Sequence, residues 1–345
     1  MFSSKTTARM NAFRKLGLLF LLLSAKHIVL AQDPHFSQYF SSPLTLNPAN
    51  TGNFNGPYRV ASNFRNQWQG VGYPYLTGTI SFDAAVAKDR FSAGDNFSVG
   101  VLGLFDKAMG GSFNSNYGGL SVGYHLWLDE DRTHKLSIGF QSVLVNKRLD
   151  PTQISFATQF SSNGFDLSLP SDEFFQNNNI NYLDWNTGLN YSRSTENGNY
   201  FLGISGYHLT QPKESFLGDD ANIIPIRYTI AAGTNRYLGE TGVLMTSALY
   251  QQQSKSREIT VGVAYGQYLS SPVNDISVFM GAWYRINDSF IPYFGFNYND
   301  LQIGLSYDII ASSLNLSKTN NRSIELSAIY SFRDKTTDKR FIPWY

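Results

Sequence analysis

The side chains that could perform acid–base, nucleophilic or metal chemistry are few and do not form a catalytic motif. The chain has no cysteine, which excludes thiolate metal ligands, disulfide bonds and a cysteine nucleophile. Serine and aspartate are plentiful, but no GxSxG frame marks a nucleophile. No histidine lies in the HExxH spacing that binds zinc; the histidines are His27, His35, His125, His134 and His208. We therefore predict a protein that is not an enzyme and that has no cofactor.

One enzymatic alternative stays open at this point. A lipid-cleaving hydrolase built on a barrel needs a serine and a histidine on adjacent strands. His125 and His208 both fall in segments that are predicted to be strands.

A more specific cluster is Arg65-Asn66-Gln67-Trp68, at the end of the first predicted strand. An arginine and two amides beside a tryptophan are typical of an anchor at a membrane interface. The same residues could instead form a polar latch inside a barrel, where the guanidinium of Arg65 would need a carboxylate partner. The two candidates are Asp83, near the end of the adjacent strand, and Glu325, on the polar face of the last strand.

These residues must be positioned by strands, because apolar residues alternate with small or polar ones from Tyr58 to Phe332. From Leu301 to Ile309, for example, every second residue is apolar, and the residues between them are Gln, Gly, Ser and Asp. The apolar face suits contact with lipid. The other face suits a lumen lined by Gly, Ser, Thr, Asn and Gln that carries few charges.

About fourteen such runs occur, each near the ~9–11 residues with which a tilted strand crosses a bilayer. The sequence therefore predicts an all-β fold, a transmembrane antiparallel β-barrel of the outer-membrane type. The predicted strands are 59–69, 73–83, 96–107, 112–128, 133–147, 181–194, 199–210, 225–238, 242–252, 257–268, 275–286, 290–298, 300–309 and 322–332.

Residues 1–31 are typical of a secretory signal peptide that is cleaved before Gln32. They include five basic residues and no acidic one, an apolar run from Leu16 to Leu23, and small residues that end at Ala31. The apolar run is far shorter than the ~20 residues of a spanning helix. Removing the leader leaves 27 − 5 = 22 basic and 26 acidic residues, a net charge of −4, which argues against nucleic acid as a partner.

The stretch from Gln32 to Gly52 separates the leader from the first strand and is too irregular to be a strand or a helix. Three prolines remove backbone donors, and the end of the stretch, 47–52, predicts one or two tight turns. Its apolar side chains would be costly to leave in water; they are Phe36, Tyr39, Phe40, Leu44 and Leu46. We expect partial insertion into the lumen, and the alternative is a peptide that docks on a partner.

An even number of strands returns both termini to one side of the membrane. The long connections 148–180, 211–224 and 310–321 then share the opposite side, and long loops of such barrels face outward. We therefore predict a periplasmic N-terminal segment at 32–57, a barrel at 58–332 and a periplasmic C-terminal tail at 333–345. The connection 84–95 is long for the periplasmic side and is interpreted as an insertion or a partner contact.

The order of short motifs along the mature chain resembles the PorP/SprF family. The opening block contains Asp33-Pro34, Phe36-Ser37-Gln38-Tyr39, Asn47-Pro48-Ala49 and Gly52, and the next contains Arg65, Gln67, Trp68, Thr77, Ser81 and Asp83. Later blocks that look alike are Tyr124-His125, Leu136 to Gln141, His208-Leu209-x-Gln211-Pro212, Trp283-Tyr284-Arg285, Ser306-Tyr307-Asp308 and Ile324-Glu325-Leu326. The chain departs from the family at its end, where Phe341-Ile342-Pro343-Trp344-Tyr345 replaces an extension that commonly contains cysteine.

The resemblance implies a non-enzymatic outer-membrane component of the type IX secretion and gliding machinery of Bacteroidota. Such proteins support the export of surface proteins, often large adhesins. Expected partners are outer-membrane lipid, type IX components at the periplasmic face and a secreted surface protein. A porin or a transporter of hydrophobic solutes is the alternative. The residues taken as family-motif or partner-contact candidates are Asp33, Pro34, Phe36, Ser37, Gln38, Tyr39, Asn47, Pro48, Ala49, Gly52, Arg65, Gln67, Trp68, Asp83 and Glu325.

Overall fold

The alternating segments form fourteen antiparallel strands that close into one barrel in the computed structural model. The structure describes residues 33–68, 73–88, 94–162, 164–166, 168–218, 222–269, 275–311 and 322–332. The barrel strands are β1 (Tyr58–Gln67), β2 (Tyr75–Lys88), β3 (Asn96–Ala108), β4 (Phe113–Trp127), β5 (His134–Leu149), β8 (Asn179–Thr195), β9 (Gly198–Tyr207), β10 (Arg227–Leu238), β11 (Gly242–Gln253), β12 (Ser256–Tyr268), β13 (Ile276–Arg285), β14 (Ser289–Tyr298), β15 (Leu301–Ile310) and β16 (Arg322–Phe332). The predicted all-β barrel of fourteen strands is confirmed.

Each barrel strand pairs with the strands next to it in the chain, and β1 pairs with β16 to close the barrel. Between β5 and β8, the two short strands β6 (Phe160–Ser161) and β7 (Gly164–Phe165) form a separate hairpin. No helix among the described residues is both long and apolar enough to cross a membrane.

The two faces of the barrel alternate along each strand as the sequence period predicts. In β16, Ile324 and Leu326 are exposed on the outer face, whereas Glu325 and Ser327 are buried on the lumen side. Outward apolar residues of this kind recur on the other strands and form the surface that suits lipid.

The two rims of the barrel differ in the length of their connections. β1 begins and β16 ends at one rim, where Tyr58 is the Cα partner of Phe332, and we call it the terminal rim. The connections 150–178 and 208–226 lie at the opposite rim, which we call the loop rim. Turns at the terminal rim are as short as the pair Asn299-Asp300 between β14 and β15.

The largest difference from the predicted strands is at the end of β2. The sequence predicts an end at residue 83, but β2 continues to Lys88. A bulge between Ala85 and Ala87 shifts the register, and pairing with β3 then resumes. The bulge breaks the two-residue period, which is the signal from which strands are predicted. The predicted connection at 84–95 is therefore too long, and its residues 89–93 lie outside the described residues.

The lumen is less uniform than the sequence predicts. The expectation of a small, polar lining is wrong for the sector formed by β11 to β14, where bulky apolar side chains point inward. They are fully buried and include Val243, Met245, Phe279, Trp283 and Ile291. Burial of these side chains requires an apolar occupant of the lumen.

That occupant is the N-terminal segment, and we call residues 34–57 the plug. It consists of three single helical turns, Tyr39–Ser41, Pro43–Leu46 and Pro48–Asn50, joined by irregular chain. Most of its side chains from Phe36 to Asn53 are buried. The predicted leader, 1–31, and the predicted C-terminal tail, 333–345, lie outside the described residues.

Candidate functional site

The plug is attached to the barrel where the first and last strands meet. Glu325 of β16 is 1% exposed, and its two carboxylate oxygens accept the backbone N–H groups of Ser37 at 2.7 Å and Gln38 at 2.8 Å. Asn63 of β1 donates its side-chain amide to the same carboxylate at 2.8 Å. One buried carboxylate therefore joins the plug, β1 and β16.

Arg65 strengthens this junction from β1. Its Nη2 lies 2.7 Å from Asp308 Oδ2 on β15, and its Nη1 donates to the backbone oxygen of His35 at 2.7 Å. Its Nε lies 3.8 Å from Glu325 Oε2, so Glu325 is a second partner. With its oxygen turned toward the guanidinium, the Gln67 amide accepts from Arg65 Nη2 at 2.6 Å. This arrangement is the latch inside the lumen rather than an anchor at the interface.

The proposed pairing of Arg65 with Asp83 is wrong. In the β1–β2 register, Arg65 lies opposite Thr77, whereas Asp83 lies opposite Arg59, near the other rim. Asp308, rather than Asp83, is the carboxylate that pairs with Arg65. The two residues are 243 positions apart in the sequence, so the pair was not predicted. Trp68 is not part of the latch; it is exposed and packs edge-on against Tyr75 with ring centroids 4.8 Å apart.

A second guanidinium approaches the plug from β13. Arg285 Nη2 donates to Ser37 Oγ at 2.9 Å, and the guanidinium lies 3.5 Å from carboxylate oxygens of both Asp308 and Glu258. His35 Nε2 lies 3.3 Å from Glu258 Oε2. The prediction of a lumen with few charges is therefore wrong, because buried charges gather where the plug begins.

The other end of the plug is held by Asp83. Its Oδ2 accepts the backbone N–H of Gly52 at 2.7 Å, and its carboxylate pairs with Arg59 at 2.7 Å. Arg59 also donates to the backbone oxygen of Asn50 at 2.9 Å. Gly52 has φ +70°, and a Cβ on it would lie 2.0 Å from Ser98 Oγ, so only glycine fits this turn.

Between the two latches, the turn Asn47-Pro48-Ala49 rests on glycines of the barrel wall. The side chain of Asn47 accepts from Ala49 N at 2.9 Å and donates to the backbone oxygen of Leu189 at 3.0 Å. A Cβ on Gly139 would lie 2.1 Å from the Pro48 carbonyl carbon. The absence of side chains on this wall lets two backbones touch.

The plug also packs against the apolar sector of the lumen. The Phe40 ring lies 5.1 Å from Trp283 and 5.4 Å from Tyr293, measured between centroids. The Tyr39 hydroxyl lies 2.5 Å from Ser247 Oγ, to which Trp283 Nε1 donates at 3.1 Å. Aromatic contacts of this kind each add about 0.5–1.5 kcal/mol to what burial of their area contributes.

The structure brings most of the sequence-predicted residues together on this site. Pro48 and Phe36 are buried with the plug, and Asp33 and Pro34 are half-buried. Sequence reasoning did not assign a contact to Asp308, Arg285, Glu258, Trp283 or Gly139. The blocks that resemble the family contain four of these residues (Gly139, Trp283, Arg285 and Asp308), and Asp308 also has an inward position in its alternating strand, but neither signal indicates a contact partner.

A serine–histidine pair on adjacent strands is present, as the hydrolase alternative required. His125 Nδ1 of β4 lies 2.7 Å from Ser137 Oγ of β5, and its Nε2 lies 2.8 Å from the Thr51 backbone oxygen. Both side chains are buried beneath the plug, so the pair has no access for a substrate. Among the described residues, no cluster of three or more His, Asp or Glu side chains could hold a metal ion.

We predict that Glu325→Gln destabilises the barrel, because it removes the buried charge that accepts the N–H groups of Ser37 and Gln38 and leaves Arg65 with one carboxylate fewer. Loss of one partner of a buried pair costs about 3–5 kcal/mol. The measurement is the free energy of unfolding in lipid vesicles, followed by tryptophan fluorescence. Glu196→Gln, in an exposed turn, is the control and should change it by less than about 0.5 kcal/mol. Equal stability of the two variants would contradict the assignment.

Gly139→Ala should displace the plug, because its Cβ would overlap the backbone at Pro48. We expect a loss of about 1–3 kcal/mol and faster cleavage of the plug by added protease. Gly118→Ala is the matched control, since nothing lies within 4 Å of its added Cβ. If both variants resist protease like the parent, the close contact is not needed to hold the plug.

The junction should weaken in acid through His35. Burial lowers the pKa of His35 to about 4, Arg285 and Arg65 lower it further, and Glu258 and Asp308 oppose them. The unfolded value is 6.5, so this contribution to stability is complete above pH 6.5 and is lost as the pH falls toward 4. Thermal unfolding midpoints should fall less in His35→Asn than in the parent on acidification. An identical fall in both proteins is the contrary result.

Solved structures with a similar fold are barrels. The toluene transporter TbuX of Ralstonia pickettii has a TM-score of 0.50 at 9% identity, covering 85% of this chain and 93% of that one. The toluene transporter TodX of P. putida has a TM-score of 0.48 at 11% identity, covering 85% and 94%. The KdgM porin has a TM-score of 0.37 at 9% identity, covering 79% and 99%. At these identities the likeness concerns the fold alone.

A comparison with curated proteins finds no match for the chain. The blocks from which the sequence resemblance was drawn meet in space, because Ser37 and Gln38, Arg65, Asp308 and Glu325 form one junction. The model of the family described as type IX secretion system membrane protein PorP/SprF matches residues 28–330. That range covers most of the chain and all of the barrel except the last two residues of β16. The protein therefore belongs to the PorP/SprF family.

Proposed function

We propose that this protein is a non-enzymatic barrel of the outer membrane that supports export of surface proteins, such as adhesins, by the type IX secretion system. Membership of the PorP/SprF family supports the link to this system. The observation that carries the rest is the filled lumen, because the plug is fixed at both ends and packed between them. A barrel filled in this way serves as a scaffold rather than as a passage.

The orientation that we propose places the terminal rim in the periplasm. Barrels of this type have short periplasmic turns and long outer loops, and the long connections lie at the loop rim. Type IX components would then contact the terminal rim and the tail at 333–345. A secreted surface protein would meet the connections 150–178 and 208–226 outside the cell. The signal peptide at 1–31 and an origin in Bacteroidota belong to the same proposal.

Transport of hydrophobic solutes is the second candidate. It is favoured by the apolar sector of the lumen, in which Phe279, Trp283 and Ile291 are almost fully buried. In the described structure, the plug side chains Tyr39 and Phe40 already cover this sector. A transporter would therefore have to displace the plug, whereas a scaffold would keep it in place.

The two functions predict opposite results for the intact protein in a planar bilayer. If the protein is a scaffold, the parent should show no steady conductance. A variant without residues 34–52 should conduct, because removal of the plug opens the lumen of a barrel of fourteen strands. Steady conductance of the parent, or uptake of toluene into vesicles that contain it, would favour the transporter.

The secretory role is tested by deleting the gene and counting surface proteins that external protease removes from intact cells. We expect the deletion to keep at least one surface protein inside, and the parent gene to restore it. As a control, the deletion strain is complemented with the gene for the Glu196→Gln variant, which should restore export fully. Normal export of every surface protein by the deletion strain would refute the role.

A further inference from the structure

We propose that the outer wall of the barrel carries a site for the phosphate group of an anionic phospholipid, formed by Arg193, Tyr200 and Arg236 near the terminal rim. These residues belong to three consecutive strands, β8, β9 and β10. The site is independent of the plug and of the proposed secretory role.

The strand register brings the three side chains onto one patch. Arg193 is the Cα partner of Tyr200, and Tyr200 is the Cα partner of Thr234, two residues before Arg236 on the same face. Neighbouring strands lie about 4.8 Å apart, so both guanidinium groups can reach a ligand above the Tyr200 ring. The patch is thus a pair of cations with an aromatic residue between them.

The patch faces the lipid and not the lumen. Asn235 and Phe201 are buried on the lumen side, and Arg236 and Tyr200, which are next to them in sequence, point the opposite way. Arg193 and Arg236 are exposed, as is the Tyr200 side chain. A tyrosine on the outer wall near a rim is typical of the level of the lipid headgroups.

Neither arginine has a counter-charge among the described residues. Neither forms an ion pair with any residue in the part of the chain that the structure describes. The turn at 128–133 contains Asp129, but its carboxylate accepts the backbone N–H groups of Thr133 at 3.0 Å and His134 at 2.7 Å. Two arginines at the level of the headgroups attract anions, and the anions of this layer are lipid phosphates.

The side chains of Arg193 and Arg236 favour a lipid whose phosphate-containing headgroup has a net negative charge. Guanidinium groups donate two parallel hydrogen bonds to phosphate oxygens, and two of them together match a diester that carries one charge. A zwitterionic headgroup brings its own cation close to the same place, which weakens the attraction. The patch should therefore prefer phosphatidylglycerol to phosphatidylcholine.

The test titrates the full-length, delipidated protein in detergent with phosphatidylglycerol or phosphatidylcholine and counts bound lipids by native mass spectrometry. The parent should bind phosphatidylglycerol more tightly than phosphatidylcholine. The double variant Arg193→Gln/Arg236→Gln should lose about tenfold or more in affinity for phosphatidylglycerol. Its barrel should stay folded, because both side chains are exposed on the outer wall.

The matched control is Arg257→Gln/Arg322→Gln, which removes the same charge from exposed positions at the loop rim, on the separate strands β12 and β16. This control should bind phosphatidylglycerol as the parent does. Equal affinity of the parent and the first double variant would overturn the proposal. An equal loss in both double variants would overturn it too, because it would indicate attraction by net charge rather than a site.

Discussion

The structure depends on the buried carboxylate of Glu325, which is placed where the barrel closes. A carboxylate in a lumen shielded from water must find hydrogen-bond donors or be neutralised. Here the donors come from Ser37 and Gln38 of the plug and from Asn63 of β1, with Arg65 as a nearby counter-charge. The same group therefore satisfies the first strand, the last strand and the N-terminal segment. Closure of the wall and filling of the lumen are parts of one interaction.

The two ends of the plug are held by the same kind of contact. At each end a strand carboxylate accepts plug backbone N–H groups, and an arginine pairs with a carboxylate at the same place. Between them, Phe40 fills the apolar sector and the turn at Pro48 rests on backbone. Charged contacts fix the position of the plug, and close packing excludes water from its sides. A plug with only one of these features would be easier to release than one with both.

The strands could be predicted from the sequence because the side chains of a strand alternate between its two faces with a period of two residues. The exception is Ala85 to Lys88, where a bulge interrupts that period. The general insertion of residues 36–46 could also be expected, since their apolar side chains need cover. Glu325 was expected as a partner of Arg65, but the closer pair with Asp308 could not be predicted, because it depends on the order of strands around the closed wall. The role of Gly139 was equally hidden, since a missing side chain has meaning only beside the backbone that it admits.

The path of the plug has a consequence for the order of assembly. The plug runs through the lumen from one rim to the other. Its N-terminal end, at His35, lies beside Glu258 and Arg285 close to the loop rim. Its C-terminal end, where Gly52 contacts Asp83, lies near the terminal rim and leads into β1. His35, near the N-terminal end of the described residues, thus lies beside strands of the second half of the barrel, which are synthesised late. Either the wall closes around a segment already in place, or a free end is drawn through the finished lumen. In both cases the pairing of β1 with β16 completes assembly, because the lumen is closed only when the last strand to be synthesised has paired with the first.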